Sequence, residues 1–176
     1  MRVLALAAIT ADGLIGRSAH HLVTWSSRED KRMFAATSRA AGVIVMGRAT
    51  YEVMGKPLSD RLQVVLTSRP EAFQSIPGVV EFTAQTPAEV LADLERRGFK
   101  EAVIGGGGSV YHAFLTAGLV DELWLTVEPL LFGQGVSLLG GISADVRMRL
   151  LAVERMSENS VQLKYSLRPD PGAGAS

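Results

Sequence analysis

Uninterrupted apolar runs alternate along the chain with segments that are apolar on one side only. The runs "VLALAAI" (3–9), "GVIVMG" (42–47), "LQVVLT" (62–67) and "EAVIGG" (101–106) are short and aliphatic. They predict strands buried on both faces of a sheet. Between them, "SREDKRMFAATSRA" (27–40) and "TPAEVLADLERRG" (86–98) carry apolar residues at helical spacing. The second has Thr86 as N-cap, Pro87 at the first helical position, Glu89 at the third and Gly98 just past the end, a full set of helix start and stop signals. Shorter helices are expected after Arg48 and after Ser109. In the C-terminal third, "DELWLTVEPLLF" (121–132), "MRLLAVERM" (148–156) and "SVQLKYSLR" (160–168) read as strands, the last two joined by a hairpin-like "SEN" turn. The pattern predicts an α/β fold with a mostly parallel central sheet and a C-terminal antiparallel hairpin. With no internal repeat and no dividing linker, residues 1–168 are expected to form a single domain. The Pro- and Gly-rich residues 169–176 are expected to be a flexible tail.

Composition narrows the function. The 176 residues suffice for one domain with a real core. Eighteen basic residues balance eighteen acidic ones, which gives no reason to expect nucleic acid or an anionic membrane as partner. Cysteine is absent, so disulfides and thiolate metal sites are excluded, and a cytoplasmic location fits. The opening "MRVLALAAIT" is cut short by polar "ADG", too brief to span a bilayer and without a signal-peptide cleavage context. His20, His21 and His112 show no metal spacing with acids, so no metal site is expected.

Three stretches carry candidate chemistry. In "VIVMGRATYEVMGKPL", a strand runs into Gly47 and a helix start near Ala49 or Thr50, with Arg48 adding positive charge. Amides at such a start attract anions. The following strand ends in "LTSRP", where Thr67, Ser68 and Arg69 could complete a phosphate cradle; polar, exposed strand ends are the plain alternative. "VIGGGGSVYHAFL" places four glycines between a strand and a helix. It is not the G-x-G-x-x-G fingerprint, but the logic of close backbone approach to a pyrophosphate at a positive helix end is the same. The third stretch, "VTWSSREDKRMF", sets Asp30 and Phe34 four residues apart on one helical face, with Trp25 ahead. Ser27 with Asp30, or Ser26 with Glu29, fits a capping box. Capping does not explain the aromatic neighbours. A carboxylate beside an aromatic wall suits a flat, nitrogen-rich heterocycle that presents an amidine-like edge. Thr126 could donate to that carboxylate from a neighbouring strand, or face away.

Taken in order, "DGLIG", the tryptophan before "SSREDKRMF", "VMGRATYEVMGKPL", "VVLTSR", "VIGGGGSVY" and "LWLT" resemble the dihydrofolate reductase family over about residues 3–168. The resemblance implies a three-layer dihydrofolate-reductase-like fold around an eight-stranded sheet, binding NADPH and a pterin. It implies that Asp30 holds the pterin ring with Thr126 as its hydroxyl partner, and that Trp25 bounds the mobile loop; these three form the implied catalytic set. Substrate contacts are implied for Ala8, Asp30, Phe34, Arg61 and Thr126, with Arg61 where the family binds the glutamate carboxylate of folate. The implied cofactor site comprises Ala8, Ile15 and Gly16, then Gly47, Arg48, Ala49 and Thr50. It continues with Leu66, Thr67, Ser68 and Arg69, and with Ile104, Gly105, Gly106, Gly107, Gly108, Ser109, Val110 and Tyr111. The loop before Trp25 lacks the family's usual proline, and "SDR" replaces its usual "PGR".

The segment "LVDELWLTVEPLLFGQGVSLL" is similar to a sister family, the reductase domain of riboflavin synthesis, which reduces a ribosylamino-pyrimidine with NADPH. That family typically has an acid just before its paired glycines, where Ile104 or Gly105 stands here, and it lacks the acid represented by Asp30. The expectation is an NADPH-dependent oxidoreductase of dihydrofolate, with the riboflavin precursor as the alternative and a non-catalytic NADPH-binding module as a more distant one. The partner is expected to be a small molecule. "LLFGQGVSLLGG" could add a homodimer surface, or be a buried loop.

Overall fold

The computed structural model describes residues 1–139 and 145–168. Strands β1 (Arg2–Thr10), β3 (Val43–Gly47), β4 (Leu62–Leu66), β5 (Val80–Thr83), β6 (Glu101–Ile104), β7 (Glu122–Glu128), β9 (Arg149–Arg155) and β10 (Val161–Ser166) form one eight-stranded sheet in the order β5-β4-β3-β6-β1-β7-β10-β9. All neighbours from β5 to β7 are parallel, and β10 is antiparallel to both β7 and β9. Two short strands, β2 (Leu14–Gly16) and β8 (Val136–Ser137), pair separately. The helices are α1 (Arg28–Ala41), α2 (Arg48–Met54), α3 (Pro87–Arg96) and α4 (Gly108–Thr116). No helix among the described residues is long and apolar enough to cross a membrane. The mostly parallel sheet with its terminal antiparallel hairpin is the architecture the sequence pattern predicts.

Alternation within β1 builds the three layers. Val3, Ala5 and Ala7 join a core with Val90 and Leu94 of α3 and Val110 and Phe114 of α4. Leu4 and Leu6 face the other way, into a core packed by Met33 and Phe34 of α1 and Tyr51 and Met54 of α2. A strand covered on both faces needs apolar residues at every position, which is why its sequence is an unbroken run. Each fully buried side chain such as Leu4, Ile44 or Phe114 is worth about 2 kcal/mol in area removed from water.

Several boundaries differ from expectation. The expected strand over 121–132 stops at Glu128, because Pro129 cannot extend the ladder. β5 is not anticipated: at four residues, just after Gly78 and at the sheet edge, it is too short for a periodic signal. Helix α3 has the full reciprocal capping box of Thr86 and Glu89. The expected flexible tail over 169–176 lies outside the described residues, as does the end of the glycine-rich segment proposed for a dimer surface.

The chain leaves β1, builds β3, β4 and β5 outward, and returns to insert β6 between β3 and β1 before laying β7 on the far side of β1. The parallel strands all end along one edge, and the reversal of winding opens a crevice there.

Candidate active site

A cleft of about 880 Å³ runs along that edge. At one end lie Ala7 and Ala8 of β1 and Asp30, Met33 and Phe34 of α1. Along it come Gly47–Thr50, Leu66–Ser68 and the turn from Gly105 to Tyr111, with Thr83, Ala84 and Gln85 following β5.

The acidic end is set by the start of α1. Ser27 is the N-cap, and its Oγ accepts the Asp30 N–H at 3.2 Å. The Ser27 N–H does not go to Asp30; it donates to Glu128 Oε1 at 2.8 Å. Asp30 is only 6% exposed. Burial pushes its carboxyl up from the usual range; the Thr126 and Ser26 hydroxyls oppose this, the charge of Glu128 adds to it, and Lys31 pulls it down. Ser26 Oγ is buried with no hydrogen-bond partner among the described residues. Thr126 is fully buried beneath the cleft floor, where it also receives Gln162 Nε2 at 3.4 Å. The open side on which sequence alone left Thr126 is thereby decided: it faces Asp30.

The glycine turn is shaped by close approach. A side chain on Gly105 would meet Ile44 Cδ1 at 2.6 Å. Gly106 has φ +97, and a Cβ there would press on the Tyr111 ring at 3.1 Å, so the position favours glycine on both counts. Gly106 and Gly107 are joined by a cis peptide. The Gly106 carbonyl accepts the Gly47 N–H at 2.7 Å, tying the two strand-to-helix turns together. No side chain caps α4, which leaves its first amides and the positive end of its dipole available to an anion. Tyr111 donates to the Leu6 carbonyl, and burial, with the nearby Asp30 charge, pushes its phenol far up.

Most of the residues singled out in the sequence line this cleft: Ala8, Ile15, Asp30, Phe34, Gly47, Arg48, Ala49, Thr50, Arg61, Leu66, Thr67, Ser68 and the run from Gly105 to Tyr111. Five others do not line it. Thr126 lies beneath, Gly16 and Ile104 are buried behind, Arg69 is exposed, and Trp25 turns its ring edge-on to Phe132 at 5.2 Å. Trp25 Nε1 is buried without a partner among the described residues. Arg48 lines the cleft but pairs with Glu52 at 2.7 Å. Arg61 is 7% exposed and already donates to the Ser59 and Ala35 carbonyls at 3.0 and 3.1 Å, and to Ser38 Oγ. Burial pushes its guanidinium down, with Arg39 adding to the effect.

Sequence reasoning missed Ser26, Lys31 and Met33 and the Thr83–Gln85 corner, while Leu22 and Val23 of the expected mobile loop line the cleft. Met33 was within reach, being three residues from Asp30 on the same helix; the corner required knowing β5. Glu128 carried no signal, since its partner is 101 residues away.

The dihydrofolate reductase family model matches residues 2–128, from the first strand through the last residue of β7. The chain belongs to the dihydrofolate reductase family. It is a reductase by fold and by family. It is 34% identical over 126 residues to dihydrofolate reductase type 3 of Salmonella typhimurium, which covers 72% of this chain and 71% of that protein. Among solved structures it is similar to dihydrofolate reductase from Enterococcus faecalis complexed with NADP(H), at TM-score 0.68 and 26% identity over 94% of this chain and 95% of that one. It is similar in fold to the diaminohydroxyphosphoribosylaminopyrimidine deaminase/5-amino-6-(5-phosphoribosylamino)uracil reductase of Thermotoga maritima, at TM-score 0.79 and 16% identity over 94% of this chain and 56% of that one. Both branches that the sequence resembles therefore lie among its relatives in structure.

Proposed function

We propose that the chain is an NADPH-dependent reductase that converts 7,8-dihydrofolate to tetrahydrofolate by hydride transfer to pterin C6. One observation carries the reading. A carboxylate, Asp30, is buried at the acidic end of the cleft, with the Thr126 hydroxyl toward it and Phe34 one helical turn below. A buried carboxylate is costly unless something hydrogen-bonds it, and a pterin offers two parallel N–H donors to such a group.

The cleft also fits the dinucleotide. A Cβ at Gly105 would collide with Ile44 and one at Gly106 would press on Tyr111, so the turn keeps bare backbone beside the uncapped start of α4, where a pyrophosphate would lie. Thr67 and Ser68 would take the adenosine end, with Arg48 across from them; the exposed Arg69 would reach the 2′-phosphate from outside the cleft. When bound, NADPH supplies the hydride. The protein's part is placement: Ala8, Ile15 and the glycine turn hold one flat ring against the other, which Asp30 and Phe34 fix from below. Asp30 orients the pterin and stabilises positive charge on it, while water delivers the proton to the imine nitrogen. Loop residues Leu22 and Val23, which line the cleft, exclude bulk solvent on closing. Residues 1–168 would act as one domain, in the cytoplasm, on a small molecule and without nucleic acid or membrane; a homodimer is compatible with this reading.

The riboflavin-type likeness, at the higher TM-score of 0.79, supports a second reading in which the substrate is a ribosylamino-pyrimidine. The deciding experiment follows the loss of NADPH absorbance with each substrate in turn. Turnover with dihydrofolate, abolished by a pteridine inhibitor, is expected; turnover with the pyrimidine alone would replace the first reading by the second. NADPH binding without turnover of either would make the chain a nucleotide-binding module.

A further inference from the structure

Helices α1 and α3 begin with the same sequence grammar, a hydroxyl residue followed three positions later by an acid. In α3 the box closes: Glu89 N–H donates to Thr86 Oγ1 at 3.4 Å, and Thr86 N–H donates to Glu89 Oε2 at 2.8 Å. In α1 only the first half forms, between Asp30 N–H and Ser27 Oγ at 3.2 Å. The second half is supplied from another element, by Glu128 Oε1 at 2.8 Å from Ser27 N. Glu128 is itself 3% exposed, a buried carboxylate for which the proposed chemistry has no use.

We infer that Glu128 is a positioning residue: by taking the Ser27 amide it relieves Asp30 of capping and keeps the Asp30 carboxylate turned toward the cleft. Thr126 and Glu128 stand two apart on β7, hence on the same side of the strand. One rigid strand therefore sets both contacts, the hydroxyl for Asp30 and the acceptor for its helix. An N-cap amide left unpaired can be taken by an acid at the third helical position, which is Asp30 here. The charged or titratable groups around Asp30 are Glu128 from β7, Lys31 from α1 and Tyr111 from α4. Removing the charge of Glu128 while keeping an acceptor should let Asp30 ionise at lower pH. The inference rests on the reading of Asp30 as the ring-binding group, and its test is separable from that reading.

The test uses Glu128→Gln and Glu128→Ala in the full chain. The Asp30 carboxyl is titrated by carbon NMR without ligand, and binding of a pteridine inhibitor and of NADPH is measured by Trp fluorescence. In Glu128→Gln the Asp30 midpoint falls while pteridine affinity stays within about threefold of native, because the amide oxygen still takes the Ser27 N–H. In Glu128→Ala pteridine affinity drops about tenfold or more, as expected of a displaced positioning group, with NADPH affinity unchanged. An Asp30 midpoint that falls no further in Glu128→Ala than in Glu128→Gln overturns the inference, because a carboxylate drawn onto the Ser27 amide gains a hydrogen bond that favours its charge; equal loss of pteridine and NADPH affinity in Glu128→Ala overturns it too. Should Glu128→Ala fail to fold, Glu128→Leu, which keeps the bulk and removes the acceptor, is read in its place by the same titration and binding assays. If the native protein binds no pteridine, the substrate reading falls, and the same titration still judges Glu128.

Discussion

Gly105→Ala tests how tightly the glycine turn is built onto the sheet. The added Cβ would sit 2.6 Å from Ile44 Cδ1, 3.1 Å from Ile44 Cγ1 and 3.4 Å from Phe34 Cζ. Gly105 is not among the glycines with positive φ, so the backbone tolerates alanine and the whole penalty is steric. Ile44 is fully buried on β3, so its terminal methyl can give way only by pressing on packed neighbours. Overpacking of this kind costs about 1–3 kcal/mol, offset by about 0.4–1 kcal/mol from the stiffer unfolded chain, for a net loss of at most about 2.6 kcal/mol and about 1.3 kcal/mol at mid-range. At the size of this domain the mid-range loss lowers Tm by about 3–5 °C. Ile44→Val removes the Cδ1 atom and by itself costs about 1 kcal/mol. In the double variant the clash at 2.6 Å is gone and the nearest contact is 3.1 Å. The two losses should then fall short of additive by about 1 kcal/mol in a double-mutant cycle followed by thermal and urea unfolding. Additivity within about 0.5 kcal/mol, the value for independent sites, would refute the contact and with it the account of why glycine stands there.

Asp30→Asn should reduce dihydrofolate turnover by about 100-fold or more with NADPH affinity unchanged; native turnover under saturating substrate would remove Asp30 from the mechanism. The same variant should melt higher than native at pH 7–8. Because burial raises the Asp30 carboxyl in the folded state, the native protein binds that proton more tightly than the unfolded chain does. Its charge is a fixed cost above the raised value, and stability is regained as pH falls through it, so the gap between variant and native should close as the pH is lowered; a constant gap would contradict this. Arg61→Ala should weaken folate more than a bare pterin, and should also destabilise the fold, because it leaves the Ala35 carbonyl and Ser38 Oγ without their donor; equal losses for the two ligands would deny it a role at the glutamate tail. Replacing Arg48 and Arg69 by Ala together should narrow the NADPH over NADH preference in kcat/KM. Equal use of both cofactors by the native protein would contradict the 2′-phosphate assignment.

Local sequence determined whatever depends on neighbours along the chain. The continuous apolar runs specified strands covered on both faces, because a half-covered strand alternates and these do not. Thr86, Pro87 and Glu89 specified the start of α3, since every contact involved spans three residues. The four glycines marked a turn where backbone must pass close to something, and the ordered set of motifs placed the chain in its family. Tertiary structure decided matters that depend on groups far apart in sequence. The similar capping pattern at Ser27 and Asp30, with the shorter Asp in place of Glu, closes only halfway: the Ser27 amide goes to Glu128 of β7, and no local rule contains that carboxylate. The turning of Trp25 onto Phe132 and the exposure of Arg69 are likewise outcomes of packing, not of periodicity. So is the strand β5, which pairs with β4 at the sheet edge and bridges back to Ile76. A capping motif specifies which hydrogen bonds are possible at a helix start; only the assembled sheet settles which of them Asp30 is free to leave unmade.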